Sequence, residues 1–181
     1  MILETQRTIL RHWEVEDAEE LYKYASNTNV GLIAGWPVHT SVENSRQIIK
    51  EVLSTPTTFA VILKQTNKPV GCVGLLLGDA CHIEVKSDEA ELGYWIGEPY
   101  WGQGLIPEAV NRVLEYAFEE LKLNKIWCGS LEENTKSAKV QAKCGFTYVL
   151  TKDNVPCAID GQYNTLRFSC LSKQEWLEER K

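Results

Sequence analysis

Two glycines one residue apart, Gly102 and Gly104, stand between an apolar run that stops at Gly97 and Pro99 and an apolar stripe that begins at Ile106. Lacking a Cβ, each lets backbone N–H groups approach a ligand closely. Pro107 suits the first turn of a helix, where a missing N–H costs nothing and the fixed φ is already helical. The loop therefore opens into a helix N-terminus, whose unpaired amides and positive dipole end make an anion site. A diphosphate best matches several convergent N–H groups. The expected donors are the amides of Gly102, Gln103, Gly104, Leu105 and Ile106, with Glu108 and Ala109 as further candidates. The Glu108 carboxylate would repel an anion that came too near.

Two elements must hold that loop. Glu91 to Ile96, rich in aromatic and branched residues and closed by turn residues, reads as a strand. After it, Ile106, Val110, Val113, Leu114, Ala117, Phe118 and Leu121 recur at separations of three and four, opposite Asn111, Arg112, Glu115 and Glu119. That is an amphipathic helix. Lys125 to Leu131 is the next strand, and strand, helix, strand at this length is a crossover that makes the two strands parallel neighbours.

The rest of the chain supplies the surroundings. Thr5 to Trp13 reads as a strand and Glu14 to Tyr24 as a helix, after which Asn27 to Gly35 breaks the pattern. Thr40 with Glu43 forms a capping box for a second helix through Ile48, Ile49, Val52 and Leu53, so two helices precede the main sheet. Trp36 and His39, in the connection, are placed to wall a substrate cleft. Phe59 to Leu63 and Val70 to Leu77 make a hairpin across QTNKP, followed by a polar connection from Asp79 to Ser87. Asn134 or Thr135 caps a helix that Gly145 ends. Phe146 to Leu150 is then a strand, DNVPCAIDGQ a loop and Tyr163 to Cys170 a last strand. Ser172 to Glu179 is a short helix docked by Trp176 and Leu177. The architecture expected is α/β, a single domain over residues 1–181 built on a mixed sheet with helices on both faces.

Composition narrows the function classes. A net charge of −6 argues against nucleic acid bound through a broad basic face and slightly favours a cationic acceptor. No apolar run approaches the ~18 residues a membrane helix needs, and MILETQRTILRHW has no secretory signal, so a cytoplasmic protein is expected. The six cysteines contain no C-x-x-C pair and read as reduced and mostly buried. Cys81 and His82 are adjacent, and the other histidines lack ligand spacing, so no metal is expected.

Strand, WGQGL loop and helix together resemble the acyl-CoA pyrophosphate site of the GCN5-related N-acetyltransferases, in particular the branch of ribosomal-protein N-terminal acetyltransferases. Trp101 and Ile106 stand at the outer positions of the loop pattern, where the family carries other residues. A second block, NTKSAKVQAKCGF from Asn134 to Phe146, resembles that branch too, as does the opening from Glu4 to Ala25. The resemblance implies a splayed sheet: the Glu91 and Lys125 strands part at their ends and admit the pantetheine arm of acetyl-CoA.

The implied chemistry is attack of an amine on a thioester in a ternary complex. An ordinary primary amine, with a pKa of about 10.4, is mostly ammonium at pH 7, so a base or water relay is needed. Glu91 is the candidate and Glu89, expected to be more exposed, the fallback. A backbone N–H near Trp95 or Ile96 would serve the oxyanion. Many family members protonate the leaving thiolate with a Tyr, but the position here is Gln141, and the role passes to Ser137. Asn134 is expected to cap its helix and hold the pantetheine amides. Trp36, His39 and Tyr94 are assigned to the substrate side, although Tyr94 and Tyr100 also read as packing residues. The acceptor would be a peptide N-terminus, a polyamine or another small amine, and the protein a monomer or homodimer. Two alternatives stand beside this. One is a non-catalytic acyl-CoA sensor; the other is a dinucleotide oxidoreductase, disfavoured because Pro107 replaces the third glycine of that loop.

Overall fold

The computed structural model describes residues 1–159, 161–178 and 180. Among the described residues eight strands form one sheet: β1 (Ile2–Glu4), β2 (Thr8–Arg11), β3 (Thr58–Leu63), β4 (Lys68–Leu76), β5 (Glu89–Ile96), β6 (Lys125–Leu131), β7 (Thr147–Pro156) and β8 (Tyr163–Ser172). Their order across the sheet is β1-β2-β3-β4-β5-β6-β8-β7. Every neighbouring pair is antiparallel except β5 with β6, the parallel pair that the crossover demands.

Helices cover both faces. On one, α4 (Leu105–Glu115) buries Leu105, Ile106, Ala109, Val110, Val113 and Leu114 against Phe59, Val73, Leu75, Ala90 and Leu92. Each such Leu or Val, fully buried, is worth roughly 1.5–3 kcal/mol relative to exposure. The helix then widens, with Leu121 N–H donating five residues back to Tyr116 C=O at 3.0 Å. On the other face α1 (Ala18–Ala25) and Ile49, which follows α3 (Val42–Ile48), pack on Ala60, Ile62, Cys72 and Trp95. Because β3 and β4 are covered on both sides, they read as nearly continuous apolar runs rather than alternating ones.

Several expectations are corrected. Asn27 to Gly35 is not a break but α2 (Thr28–Ala34), so three helices, not two, precede the central hairpin. Asn27 caps it by accepting from Asn29 N–H, and Gly35 ends it at φ +82°. Its seven residues carry an internal glycine and no full apolar stripe, which hid it; Gly31 is required because a Cβ there would lie 2.8 Å from the Trp36 ring. The cap of α3 is Ser41, whose Oγ accepts from Asn44 N–H, not Thr40. β1 is a separate strand ahead of the one expected from Thr5 to Trp13, which the structure shortens to Thr8–Arg11. β7 runs on through residues 153–156, expected as loop; as an edge strand it tolerates Pro156 and the Asn154 backbone at φ +55°. In α6 (Lys173–Glu178) Trp176 is buried while Leu177 is exposed. Glu179, at the expected end of that helix, lies outside the described residues.

Candidate active site

The loop between β5 and α4 is shaped by its glycines. Gly102 and Gly104 adopt φ of +74° and +76°, a left-handed conformation that costs a residue with a Cβ roughly 1–2 kcal/mol. Among the described residues, the N–H groups of Gly102, Gln103 and Gly104 meet no acceptor, and those of Leu105 and Ile106 fall in the first helical turn. The Leu105 and Ile106 side chains are buried in the core, so these residues present backbone only.

A clip from the start of the chain fixes this loop. Arg7 donates from its backbone N–H to Glu108 Oε1 (2.7 Å), from Nε to Glu108 Oε2 (2.7 Å) and from Nη1 to the Gln103 carbonyl (2.8 Å). Thr5 Oγ1 donates to Glu108 Oε1 at 2.5 Å. Partial burial works against the Glu108 carboxylate, but these bonds outweigh it and hold the group below its ordinary pKa. The charge expected to repel an anion is thus neutralised by a cation at the same loop. Trp101 donates from Nε1 to the Ile96 carbonyl at 3.0 Å, and Lys136 Nζ sits 3.4 Å from the centre of its ring. Gln103 turns its side chain to the Pro99 carbonyl.

Next to the loop the sheet opens. β5 and β6 pair only at Glu89 with Lys125, Ala90 with Ile126 and Glu91 with Trp127, although both strands continue well beyond. Past Glu91 they diverge. Gly97 N–H donates to Val70 C=O of β4, and ladder alternation gives Trp95 the same direction. The N–H groups of Tyr94 and Ile96 accordingly face the gap, whereas that of Trp95 faces Cys72 of β4.

The side chains of β5 divide between the two faces. Tyr94 packs on the α4 side, where its hydroxyl lies 2.8 Å from Ser137 Oγ and donates to the Ser137 carbonyl at 3.2 Å. Burial pushes the Tyr94 phenol up, so it keeps its proton. Ser137 lies in the first turn of α5 (Thr135–Lys143), whose cap is Asn134: its Oδ1 accepts from Ser137 N–H at 3.0 Å. Gln141, at the position where the family has Tyr, donates from Nε2 to Ser137 Oγ at 3.3 Å.

Glu91, Gly93 and Trp95 face the other way. Glu91 is 4% exposed. Its Oε2 accepts from His82 N–H at 2.6 Å, and its Oε1 lies 3.1 Å from His82 Nδ1. A Cβ on Gly93 would meet nothing within 4 Å, while one on Gly129 would lie 3.2 Å from Glu91 Oε1 and 2.8 Å from the Phe168 ring. Glu91, His82, Gly93, Tyr94, Asn134 and Ser137 line a cleft of about 140 Å³, walled by Ile33, Ala34, Leu131 and Leu166.

The structure thus brings Glu91, Tyr94, Asn134 and Ser137 together, with the amide loop at one end of the gap. Trp36 packs on Trp95 and on His39, and neither Trp36 nor His39, expected to wall the cleft, is among the residues that line it. His39 is buried, with Nδ1 2.8 Å from Ser45 Oγ, and burial lowers its pKa. Tyr100 meets the Tyr24 hydroxyl at 3.2 Å. Glu89, expected to be exposed, is buried and accepts from Trp127 Nε1 at 2.8 Å. His82 and Arg7 were missed as site residues. Their partners lie 9 and 101 positions away, with no periodic or motif signal to join them.

A loop of unpaired amides at a helix N-terminus, opening onto a gap between two parallel strands, is the arrangement that the resemblance implies for an acyl-CoA site. The chain belongs to the GCN5-related N-acetyltransferases: the family model described as an acetyltransferase (GNAT) domain matches residues 7–147. It is 33% identical to the uncharacterized N-acetyltransferase p20 of Bacillus licheniformis over 80% of this chain and 81% of that one. It is 29% identical to the uncharacterized N-acetyltransferase YoaA of Bacillus subtilis over 80% and 82%. In fold it is similar to a GNAT-family acetyltransferase of Bacillus anthracis, with a TM-score of 0.81 at 22% identity, covering 96% and 99% of the two chains. It is also similar to spermidine N-acetyltransferase of Vibrio cholerae in complex with CoA and spermine, with a TM-score of 0.74 at 22% identity over 94% and 98%. The protein is an N-acetyltransferase, and its family transfers acyl groups from acetyl-CoA to amines. This removes the oxidoreductase alternative. Among the described residues no helix is long and apolar enough to cross a membrane.

Proposed function

We propose that the protein transfers the acetyl group of acetyl-CoA to a primary amine, a protein N-terminal α-amine or a small-molecule amine, by direct attack in a ternary complex. One observation carries this reading: the β5–β6 gap has unpaired amides at its mouth and chemically different groups on the two faces of its β5 wall. The residues present fit the donor. The amides from Gly102 to Ile106 suit a diphosphate, with Lys136 as a nearby cation beside the Arg7–Glu108 ion pair. The side chains of Trp101 and Gln103 are engaged with the loop's own carbonyls, which leaves the contact to the backbone.

The bound donor supplies a thioester carbonyl as electrophile. The Ile96 N–H, directed into the gap, is placed to donate to the carbonyl oxygen as charge develops there. Tyr94 and Ser137 form a hydroxyl pair on the sulfur side and can return a proton to the leaving thiolate. Tyr94 brings a phenol to a site where Gln141 cannot act as an acid, which supports an enzyme over the sensor alternative. Asn134 holds the first turn of α5 through Oδ1 and donates from Nδ2 to the carbonyl of Ile33, another residue of the cleft wall, at 3.5 Å. On the opposite face the Glu91–His82 pair is the proton-accepting unit for the amine.

The reading takes residues 1–181 as one domain, which is supported by a single sheet that draws strands from both parts of the chain. An acetyl-CoA donor and a chain whose cysteines contain no C-x-x-C pair fit the reducing cytoplasm. The test is acetyl transfer to a panel of peptide N-termini, polyamines and amino sugars, read by release of free thiol. Thiol release that requires one acceptor class supports the reading. Acetyl-CoA binding with no transfer to any of them would establish the sensor instead.

A further inference from the structure

Within the Glu91–His82 pair, we propose that His82 Nε2 is the atom that takes the proton from the attacking amine, while Glu91 holds the imidazole in place. This rests on the acetyl-transfer reading above. Glu91 is nearly sealed from solvent, and both of its oxygens face His82: Oε2 accepts the backbone N–H at 2.6 Å and Oε1 lies 3.1 Å from Nδ1. A carboxylate in that position selects the tautomer with hydrogen on Nδ1, which leaves Nε2 with its lone pair free. The His82 side chain is 42% exposed and lines the same cleft as Glu91 and Gly93. One edge of the ring is anchored and the other is reachable.

The step balances. As nitrogen bonds to the acetyl carbon, the carbonyl electron pair moves to oxygen and the amine N–H bond breaks, its proton passing to Nε2 directly or through a water. The electron pair then returns from oxygen as the C–S bond breaks, and the thiolate leaves with a proton from the Tyr94–Ser137 pair, which solvent restores. The Nδ1 hydrogen stays on the ring and donates to the Glu91 carboxylate. The imidazolium then loses its Nε2 proton to solvent through the exposed edge, which restores the neutral tautomer.

The groups facing the pair set its working range. The hydrogen bond that Nδ1 donates to Glu91 raises the His82 pKa above its ordinary 6.5, against burial and against Lys152, whose Nζ donates to the His82 carbonyl at 3.3 Å. Burial pushes the neighbouring Cys81 thiol up to about 11 and also raises Cys128, behind Glu91, so both stay neutral. The base therefore becomes competent only above the ordinary histidine value.

The experiment uses the full chain with acetyl-CoA and the best amine of the panel. His82→Asn keeps the backbone N–H and offers a side-chain amide where Nδ1 was, so Glu91 retains its partners while the titrating ring is lost. The expected result is a fall in turnover of about 10²-fold, with acetyl-CoA-induced thermal stabilisation unchanged. The acid limb assigned to the imidazole should vanish, and added imidazole should restore part of the rate. Wild-type turnover in His82→Asn across about pH 6 to 9 would overturn the proposal, as would a loss equal at every pH that imidazole does not relieve. A second arm needs no turnover. The His82 ring is titrated by NMR in the wild type and in Glu91→Gln, and its midpoint should drop in the variant; an unchanged midpoint would also overturn the pairing. Failure of the wild type to acetylate any amine sinks the acetyl-transfer reading instead, and leaves the NMR result to decide whether the pair exists.

Discussion

The Tyr94 hydroxyl lies 2.8 Å from Ser137 Oγ and joins the middle of β5 to the first turn of α5 across the gap. Either oxygen can be the donor. In the proposed reaction the two would act as one proton-sharing unit rather than two independent acids.

Tyr94→Phe and Ser137→Ala should each slow transfer, more so for thioesters whose leaving thiol is more basic. Each loss should reach about 10²-fold if the pair donates to sulfur. The double variant should lose little more than the worse single, because groups in one hydrogen-bonded chain are not additive. Steady-state rates with a series of acyl thioesters check this. Losses that multiply would show two separate roles.

Gly104→Val combines strain with obstruction. At φ +76° a side chain costs roughly 1–2 kcal/mol, a drop in melting temperature of a few degrees for a chain of this size. Acetyl-CoA should then stabilise the variant far less than the wild type, while NAD stabilises neither. Equal acetyl-CoA shifts in both proteins would place the diphosphate elsewhere.

The Arg7–Glu108 clip predicts a pH dependence. The folded pKa of Glu108 lies below its ordinary 4.5, so the stability it contributes is present above that value and lost as pH falls through the folded one. Melting curves of wild type and Glu108→Gln should differ at neutral pH and converge in acid. A gap that persists at about pH 3 would mean that ionisation of Glu108 is not what holds the loop.

Gly129→Ala tests carboxylate placement from behind. The new methyl would meet Phe168 at 2.8 Å and Glu91 Oε1 at 3.2 Å, so either the ring or the carboxylate must move. Turnover should fall more than acetyl-CoA affinity. A variant with normal turnover and a shifted Phe168 would show that the ring yields alone.

The parts of the site legible in the sequence are those built locally. Gly102, Gly104 and Pro107 announced a loop running into a helix, and Asn134 announced a cap, because backbone conformation at these positions depends on near neighbours. The strand containing Glu91 was readable for the same reason. His82 was not, since it reaches Glu91 from an irregular connection in which residue type alone carries no direction. Arg7 and Glu108 meet across a hundred positions, and only the folded sheet brings them together. The Tyr94–Ser137 contact likewise depends on where α5 lands after the crossover, which periodicity does not specify.

The short seam between β5 and β6 has a mechanical consequence. Three paired positions join a five-stranded leaf to a three-stranded leaf, and above them the Tyr94 and Ile96 amides have no neighbouring strand to grip. A ligand arm that runs along the gap would supply those rungs and serve as a temporary ninth strand, closing the book along its spine. Slowed deuterium uptake at Tyr94 and Ile96 when acetyl-CoA binds, without matching protection at the outer strands, would be its signature.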